Sequence, residues 1–544
     1  MQYAAPSPAL YWTLVIALVS LTACRPAESP TLAEPTDWHN EVIYHVMPRS
    51  FYDSNGDRHG DLNGFVEKLD YLQELGVTTI LFTPLYASEF YHNYFPTDYE
   101  EIDPEFGTKD DYLNFVRAVH KKGMKFLMDM ETQYAPSGHP WFDESFNNPD
   151  SPNSDFIYYT DSLNADPAQL FMPLGTPLHT FRRWPDGEHH IAHLDLNHPR
   201  VRQWMHNYYL YWVDPNGDGN FDDGVDGFRI DHIMDDLDYK GIITNMYVDF
   251  WQPIFEACRA INPNLFIVGE QSNWEDFGDE MISASGADAS FNFQLRFALT
   301  GADGIHDMYS NANQSGITID PDRVHSIVLE SQEKFTGTGY AVNFVENHDT
   351  YRWASMVEEN EGMVRLGAPL TLLMPGIPSI FYAQELGVPG KILHHIKFDA
   401  DYLPIRDAFP WTTDPDTPGT AAFHKDTGEW WDVSYHNTEA IHSLALSAQQ
   451  EDPNSVWHLY RSLIALRKAE PAFRQGEYVP VALENKNLLA FKRVHATGEF
   501  MVLINLSDEP QPTTEFDFAG WSSVLGSIDD TALTPFNFVV LHHD

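Results

Sequence analysis

The chain has 544 residues, of which 43% are hydrophobic and 14% aromatic. This composition supports packed domains and excludes a wholly disordered protein. Single cores stop growing at roughly 250–300 residues, so the length predicts one large domain and a smaller one. The formal net charge of −48 repels phosphate backbones and anionic membranes, which argues against a nucleic-acid partner and favours a neutral substrate.

The N-terminal segment predicts export and anchoring. Its apolar run, Leu10–Leu21, is too short to span a bilayer, and the small residues after it lead to Cys24, as at a signal-peptide cleavage site. The segment resembles the bacterial lipoprotein box, which implies a signal peptide at 1–24, a diacylated Cys24 and a flexible tether at 25–37. The expected location is the outer membrane, facing the periplasm or the cell surface, with membrane contact only through the lipid. Cys258 is predicted to be a small buried hydrophobe.

Eight strand-like runs alternate with amphipathic helices, which is the pattern of a parallel α/β fold. The runs are Val42–Met47, Val77–Thr83, Met124–Asp129, Val225–Asp231, Leu265–Gly269, Ala289–Gln294, Ala341–Val345 and Ser379–Tyr382. Gly76 and Gly123 end the first helices before the next strand. Eight consecutive units favour a closed (β/α)₈ TIM barrel. A doubly wound sheet is the alternative, but no glycine-rich phosphate fingerprint follows the first strand.

Two long excursions interrupt this pattern, one after the third strand and one, about 386–454, after the eighth. The first is too long for a βα loop and predicts a subdomain over the catalytic face. After a helix near Ser455–Lys468, alternating runs predict a C-terminal antiparallel β-sandwich domain; they are Leu488–Val494, Phe500–Leu506 and Phe536–Leu541. The predicted divisions are the barrel at 38–133 and 201–473, the inserted subdomain B at 134–200, and the C-terminal domain at 474–544.

Ionisable residues stand at the ends of three predicted strands. In a barrel, catalytic groups lie at the carboxyl ends of the strands, where this chain carries Asp231, Glu270 and Asp349. Because strand side chains alternate between faces, Arg229 points the same way as Asp231 and keeps that carboxylate ionised. Glu270 faces like charges, which raise its pKa and suit a proton donor. Two such carboxyls, about 5–5.5 Å apart, are the catalytic groups of a retaining glycosidase.

Four motifs resemble those of the α-amylase superfamily, glycoside hydrolase family 13, over essentially the whole mature chain: GFRID (227–231), VGE (268–270), ENHD (346–349) and GIPSIFYAQE (376–385). The resemblance implies that Asp231 is the nucleophile, Glu270 the acid/base and Asp349 the transition-state stabiliser. It also implies that Arg229 and His348 hold the sugar in the −1 subsite.

The loop after the second strand completes this implied subsite, with Tyr94 stacked on the sugar and His92 hydrogen-bonded to it. The chain departs from the family at residues 129–134, DMETQY, where Asp-x-x-x-Asn-His is usual. The histidine contact and the asparagine that binds calcium in many amylases are therefore replaced. Met234 and Asp235 stand where amylases often carry Lys-His. These changes bear on subsite preference rather than on the chemistry.

An acidic loop after the first strand predicts a calcium site. Asp53, Asn55, Asp57 and Asp61 lie at alternate positions, a spacing that turns oxygen ligands towards a hard cation. The family resemblance supports Ca²⁺ here, with the backbone carbonyl of His59 as a further ligand. A solvated acidic turn is the alternative.

A second loop repeats the spacing at Asp214, Asn216, Asp218, Asn220 and Asp222. Its sixth position is glycine, but Val225 stands where an EF-hand has its glutamate. A calcium site here is as compatible with the sequence as a solvated turn.

The sequence therefore predicts an α-amylase-like retaining hydrolase of α-glucosidic, mainly α-1,4, bonds in starch-like glucans or maltooligosaccharides. An exo-acting α-glucosidase, a cyclomaltodextrinase and a transglycosylase use the same chemistry and stay open. A non-catalytic glycan-binding lipoprotein is the alternative from another class, and the three intact acids argue against it.

Overall fold

The computed structural model describes residues 36–167, 181–185, 187–271, 274, 276–301, 316–337, 339–393, 399–528 and 531–543. The predicted signal peptide, Cys24 and all but the last two residues of the predicted tether lie outside this part of the chain. Within it, no helix is both long and apolar enough to cross a membrane.

Eight parallel strands close into a barrel in which every strand lies beside its neighbours in sequence. They are β1 (Ile43–Val46), β2 (Thr79–Phe82), β3 (Lys125–Met130), β4 (Gly227–Ile230), β5 (Phe266–Gly269), β6 (Ala289–Phe291), β7 (Tyr340–Asn343) and β8 (Ile377–Phe381). Strand β1 pairs with both β2 and β8, which closes the ring. The predicted TIM barrel is confirmed, and the doubly wound sheet is excluded.

Side chains of the barrel strands alternate between an inner and an outer core. The inner positions form one buried cluster that includes Ile43, Leu81, Leu127, Phe266, Val268, Phe291, Val342 and Ile377. The outer positions, such as Tyr44, Phe82 and Phe228, join the larger core beneath the helices. Both faces of each strand are therefore buried, which is why the strand sequences are nearly continuously apolar.

Helices cover the outside of the barrel. Leu69–Leu75 ends at Gly76, whose φ of 100° suits a residue without Cβ, and Thr108 caps Lys109–Lys121 through a capping box. The other α-helices of the described chain are Leu62–Glu67, Pro140–Ser145, Pro199–Val213, Gln252–Ile261, Asp279–Ser285, Phe293–Thr300, Pro321–Phe335, Trp353–Met356, Glu361–Leu372, Glu429–Asp432, Ile441–Leu444, Leu446–Glu451, Val456–Ala469 and Pro471–Gln475. A π-helical turn, Tyr247–Trp251, precedes Gln252, and short 3₁₀ turns include Trp38–Asn40, Pro48–Ser50, Ser154–Phe156, Leu237–Tyr239, Gln384–Leu386, Asp399–Ile405 and Tyr435–Asn437.

The structure corrects the predicted sixth strand, Ala289–Gln294. Strand β6 ends at Phe291, and Phe293 begins a helix because the side chain of Asn292 accepts a hydrogen bond from the backbone N–H of Leu295. The first backbone N–H groups of a helix have no partner within the helix, and this cap provides one for Leu295. The first turn of the helix is as buried and apolar as the strand, so hydrophobicity alone did not separate them.

Between β3 and the helix that begins at Pro199, the chain forms a small subdomain over the carboxyl ends of the strands. Its strand Tyr134–Pro136 pairs antiparallel with Ile191–His193, and Phe181–Arg182 pairs with Glu188–His189. Tyr134 and Ile191 pack with Phe90 and Phe95 from the loop after β2 in one buried cluster. The insertion thereby braces the loop that carries His92 and Tyr94.

The C-terminal region forms a five-stranded antiparallel sheet in the order β9-β10-β11-β13-β12. The strands are β9 (Glu477–Pro480), β10 (Leu488–His495), β11 (Gly498–Asn505), β12 (Trp521–Leu525) and β13 (Phe538–His543). One face joins the main core, and a two-stranded sheet, Gln511–Pro512 with Ala532–Leu533, lies with loops over the other. The two outer strands were not predicted, because β9 ends in proline and β12 is mostly exposed, with two adjacent serines that interrupt any alternation.

Candidate active site

The inward-facing positions of β3, β4 and β5 change from apolar to charged at the carboxyl ends of the strands, here called the barrel mouth. On β3, Asp129 follows Leu127 by two residues, and on β5, Glu270 follows Val268 in the same way. The strand register places Asp129 beside Arg229 on β4. A ring of charged groups therefore lies directly above the apolar filling of the barrel.

Arg229 joins three acids in this ring. Its Nη1 donates to Asp129 Oδ1 at 2.8 Å and to Asp231 Oδ1 at 2.6 Å, and its Nη2 donates to Glu270 Oε2 at 2.5 Å. Asp129 is completely buried, and Asp231 and Glu270 are only 7% and 3% exposed. One guanidinium cannot neutralise three buried carboxylates, so they are expected to differ in protonation.

The pKa values of the acids separate accordingly. Burial raises the pKa of Glu270 to about 7 and that of Asp129 to about 7. Burial acts on Asp231 as well, but the positive charges of His232 and Arg229 outweigh it and hold the pKa of Asp231 below its ordinary value. At neutral pH the site thus holds an ionised carboxylate beside a carboxyl that can carry a proton.

The ionised and the protonated carboxyl lie close together. One oxygen of Asp231, one oxygen of Glu270 and one ring nitrogen of His232 lie within 4.8 Å of one another. Trp274 Nε1 donates to Glu270 Oε1 at 3.1 Å, whereas Arg229 holds Oε2, so both oxygens of this carboxyl are fixed. Retaining glycosidases need two carboxyl groups about 5–5.5 Å apart, so these two groups are close enough for that chemistry.

The predicted stabiliser, Asp349, lies after β7 between Arg406 and His348. Its Oδ1 accepts from Arg406 Nη2 at 2.9 Å, and its Oδ2 lies 2.9 Å from His348 Nε2. Burial opposes ionisation, but His348 and Arg406 together keep the pKa of Asp349 well below its ordinary value. Its side chain is 28% exposed, more than the other acids. Asp349 is therefore a permanent negative charge at the open side of the site.

The loop after β2 provides the aromatic wall. Tyr94 donates its hydroxyl to Asp129 Oδ2 at 2.6 Å, and its ring lies parallel to that of His348 with centroids 5.4 Å apart. His92 Nδ1 accepts the backbone N–H of Tyr94 at 3.1 Å, which fixes the loop. Tyr94 is only half-buried, so a ring face is available to a ligand.

The structure thus brings the seven predicted catalytic and sugar-binding residues to one mouth. It adds Asp129, Trp274 and Arg406, which sequence reasoning missed. Asp129 could have been found by the same strand alternation that linked Arg229 to Asp231. Trp274 and Arg406 come from loops, and no local pattern marks them.

The insertion after β3 and the excursion after β8 meet beside these acids. The backbone N–H of Trp184 donates to Asp399 Oδ1 at 2.6 Å, and the Tyr91 hydroxyl donates to Asp399 O at 3.0 Å. Arg406 Nη1 donates to the Tyr91 hydroxyl at 3.0 Å, and Trp184 packs edge to face on Phe423. The mouth is consequently walled on this side rather than open.

The description "Alpha amylase, catalytic domain" belongs to a family model that matches residues 45–476. The chain belongs to the α-amylase family. This assignment agrees with the barrel and with the acids at its mouth, and it makes the protein a glycoside hydrolase.

Relatives within the family carry different names. The chain is 29% identical over 474 residues to "Alpha-amylase 3" of Dictyoglomus thermophilum, covering 86% of this chain and 85% of that protein. It is 26% identical to "Trehalose synthase/amylase TreS" of Mycolicibacterium smegmatis, with 91% and 88% covered, and 25% identical to "Oligo-1,6-glucosidase" of Heyndrickxia coagulans, with 91% and 96% covered. The names of these relatives differ in substrate and reaction, so they share one family but not one substrate specificity.

Solved structures agree on the fold. The structure titled alpha-amylase from H. orenii superposes with a TM-score of 0.70 at 23% identity, covering 92% of this chain and 99% of that one. Isomaltulose synthase from Klebsiella sp. LX3 superposes with a TM-score of 0.74 at 20% identity, covering 93% and 99%. At these identities the likeness shows the architecture alone.

The first predicted calcium loop of this α-amylase-family chain offers only oxygen donors. Asp53 is buried and accepts backbone N–H groups of Asn55, Gly56 and Arg58, and buried Asp61 accepts those of Ser54 and Gly64. The exposed Asn55 and Asp57 accept backbone N–H groups two residues on, and His59 is half-buried. Oxygen donors of this kind fit a hard cation such as Ca²⁺.

The second predicted loop is more exposed. Asp214 accepts backbone N–H groups of Asp218 and Gly219, and Asp222 points into solvent. Buried Asp223 instead accepts the side-chain amide of Asn216 at 2.6 Å. The backbone N–H of Asn220 donates to Asp218 Oδ1. In the described chain, ligand atoms of three His, Cys, Asp or Glu residues converge within 4.8 Å at Asp231, His232 and Glu270, and not at either loop.

Proposed function

We propose that this enzyme is a retaining glycoside hydrolase of the α-amylase type, which cleaves mainly α-1,4 bonds in starch-like glucans or maltooligosaccharides. Asp231 is the nucleophile, Glu270 the acid/base and Asp349 the transition-state stabiliser. The observation that carries this proposal is a pair of neighbouring carboxyls with different pKa values. The pKa of Asp231 lies below its ordinary value, that of Glu270 is about 7, and one oxygen of each lies within 4.8 Å of the other.

The first step forms a bond between Asp231 and the anomeric carbon. As the bond to the leaving oxygen breaks, Glu270 gives its proton to that oxygen. The developing oxocarbenium charge faces Asp349, whose ionised state is maintained by Arg406 and His348. In the second step, Glu270 takes a proton from water, and the water oxygen replaces Asp231 on the carbon.

The sugar is held by groups that surround these atoms. Tyr94 offers the half-buried ring face, and His348, with its pKa lowered by burial, stays neutral beside it. A neutral imidazole can donate one hydrogen bond and accept another, which suits hydroxyl recognition. His92 fixes the same loop by accepting the backbone N–H of Tyr94.

The stereochemistry of the first product tests the mechanism. Two inversions restore the configuration, so the nascent reducing end should be the α-anomer in proton NMR of maltooligosaccharide hydrolysis. A nascent β-anomer would mean a single displacement, and Asp231 would then not be a covalent nucleophile.

An exo-acting enzyme of the same family is the second candidate. It is favoured by the wall that Trp184, Asp399 and Arg406 build beside the acids, because a walled mouth accepts chain ends more readily than chain interiors. Product analysis on starch, maltotriose, pullulan, cyclodextrin and isomaltose separates the two. Internal cleavage of starch supports the amylase, glucose released singly supports the exo enzyme, and transfer products indicate a transglycosylase.

Two further proposals concern the chain outside the mouth. Calcium at the loop of Asp53 and Asp61 would tie the segment after β1 to the barrel, with oxygen donors as its ligands. An acylated Cys24 would anchor the enzyme at the outer membrane through the tether. The loop's donor set supports the first proposal, and the sequence of the leader supports the second.

A further inference from the structure

Glu131 is a carboxyl that the proposed mechanism does not use. It follows Met130, the last residue of β3, in the segment where the chain departs from the family motif. The register pairs Met130 with Ile230, so one further step places Glu131 beside Asp231. The backbone N–H of Asp231 donates to Met130 O at 3.1 Å, and the two carboxyl groups are in hydrogen-bonding contact.

The two oxygens of Glu131 have different surroundings. The side chain is completely buried, and Oε1 accepts the backbone N–H groups of Thr132 at 2.7 Å, Tyr134 at 3.2 Å and Gln133. No hydrogen-bond donor among the described residues reaches Oε2. The N–H groups on Oε1 lower the pKa of Glu131, but burial and the charge of Asp231 outweigh them, and Oε2 is the oxygen left for Asp231.

The charges around the pair decide where a shared proton resides. The described titratable groups that face Glu131 are Asp231 and four phenols, Tyr86, Tyr99, Tyr208 and Tyr209. Burial and the charge of Asp231 raise the pKa of Glu131 well above its ordinary value. Asp231 instead has Arg229 at 2.6 Å. Two carboxyls in contact share one proton, and it resides on the member without a cationic partner.

We propose that Glu131 is a positioning residue of the reaction: it stays a neutral acid and donates a hydrogen bond from Oε2 to the nucleophilic carboxylate of Asp231. The inference rests on the proposed role of Asp231. It deepens that role, because the nucleophile is then held by a charged donor, Arg229, and by a neutral one.

The two steps of the reaction change this hydrogen bond in opposite directions. When Asp231 forms its ester with the anomeric carbon, it loses its charge, and the hydrogen bond from Glu131 weakens. When water attacks the anomeric carbon and displaces Asp231, the electron pair of the broken C–O bond returns to Asp231, and the hydrogen bond strengthens. The proton of Glu131 is never transferred. Glu131 therefore stabilises Asp231 as a leaving group and shortens the life of the glycosyl-enzyme.

Three variants separate this role from packing. Glu131→Gln keeps the shape and donates an N–H in place of the O–H, whereas Glu131→Leu keeps much of the volume and has no donor. Glu385→Gln is the matched control, because Glu385 is also a fully buried glutamate, held by Tyr44 and Tyr71, whose side chains belong to the outer core beneath the helices. Circular dichroism and thermal melts check that each variant folds.

The kinetic test measures how fast an enzyme trapped with a fluorinated glucosyl fluoride regains activity. Loss of a hydrogen bond to a charged group should slow this step about 10- to 100-fold in Glu131→Leu. Glu131→Gln and Glu385→Gln should stay close to the wild-type rate. An unchanged rate in folded Glu131→Leu overturns the proposal, and so does an equal loss in Glu131→Gln.

Infrared difference spectra test the proton directly and do not depend on Glu131→Leu folding. At neutral pH the wild type minus Glu131→Gln should show the carbonyl band of a protonated acid, and trapping should shift that band. Absence of the band overturns the proposal. Mass spectrometry of the trapped enzyme tests Asp231 separately: a label on another residue refutes the proposed nucleophile, while the band still reports the state of Glu131.

Discussion

Replacement of the proton donor gives the sharpest test of the active-site chemistry. Glu270→Gln keeps the shape of the side chain and can still accept from Trp274, but it cannot deliver a proton. A good general acid contributes about 10²–10⁴-fold to the rate. We therefore expect kcat/KM on maltotriose to fall by about that factor, and kcat/KM on an aryl α-glucoside with a strongly acidic leaving group to fall far less.

The pH profile follows from the pKa of about 7 that burial gives Glu270. Glycosylation needs the protonated form, so activity on maltotriose should be retained below this pKa and lost as the pH rises through it, tenfold for each further unit. Asp231 must be ionised, and its lowered pKa places the acid limb at the acidic end of the range. Asp129 also has a pKa of about 7, so the alkaline side of this bell is assigned to Glu270 by comparison with Glu270→Gln.

The assay is initial-rate kinetics of wild type and Glu270→Gln on both substrates across the pH range. In the variant the alkaline limb should disappear for the activated substrate, because no proton is needed. Glu385→Gln, another buried glutamate, is the control and should keep the wild-type profile. The assignment fails if Glu270→Gln loses as much activity on the activated substrate as on maltotriose, or keeps the alkaline limb.

Four other perturbations test the remaining assignments. Asp231→Asn should lower turnover by about 10⁴–10⁶-fold with an unchanged circular dichroism spectrum; a loss below tenfold would contradict its role. Arg406→Met should lower kcat about 10- to 100-fold with little change in KM, because Asp349 loses a charge partner; a change confined to KM would argue for ground-state binding instead. Chelation should lower the melting temperature and added Ca²⁺ restore it, with no response in Asp53→Ala; an identical melt with and without chelator counts against the ion. Cys24→Ala should give a soluble protein or an unprocessed precursor, and a wild type without an acyl group by mass spectrometry contradicts the anchor.

The barrel could be predicted because its signal is local and repeated. The strands are apolar on both faces, and several helices begin at a side-chain cap or end at a glycine, so these units can be recognised from a short stretch of sequence. The errors fall where local signals overlap. The start of the helix at Phe293 is as apolar as β6, and exposed β12 has no hydrophobic pattern to detect.

The predicted catalytic residues also depend on a local rule. Asp231 and Glu270 end strands whose alternation fixes the direction of their side chains, and parallel strands bring those ends to one mouth. The sequence alone therefore determined which residues carry charge into the barrel mouth. The sequence also predicted the direction of two pKa shifts, a low pKa for Asp231 beside Arg229 and a raised pKa for Glu270. It could not show that burial is the largest cause of the Glu270 shift, because burial arises only when the strands are assembled.

Only the tertiary structure decided the partners that distant segments supply. Arg406 reaches Asp349 from an excursion 57 residues further along the chain, and Trp274 reaches Glu270 from a loop. Glu131 contacts Asp231 because β3 and β4 are in register across 100 residues of sequence. Such contacts depend on which distant segments pack together, and the sequence has no periodic pattern that indicates these pairs. The sequence therefore determined the barrel, the acids at its mouth and the direction of two pKa shifts, and the fold decided which distant side chains hold each acid.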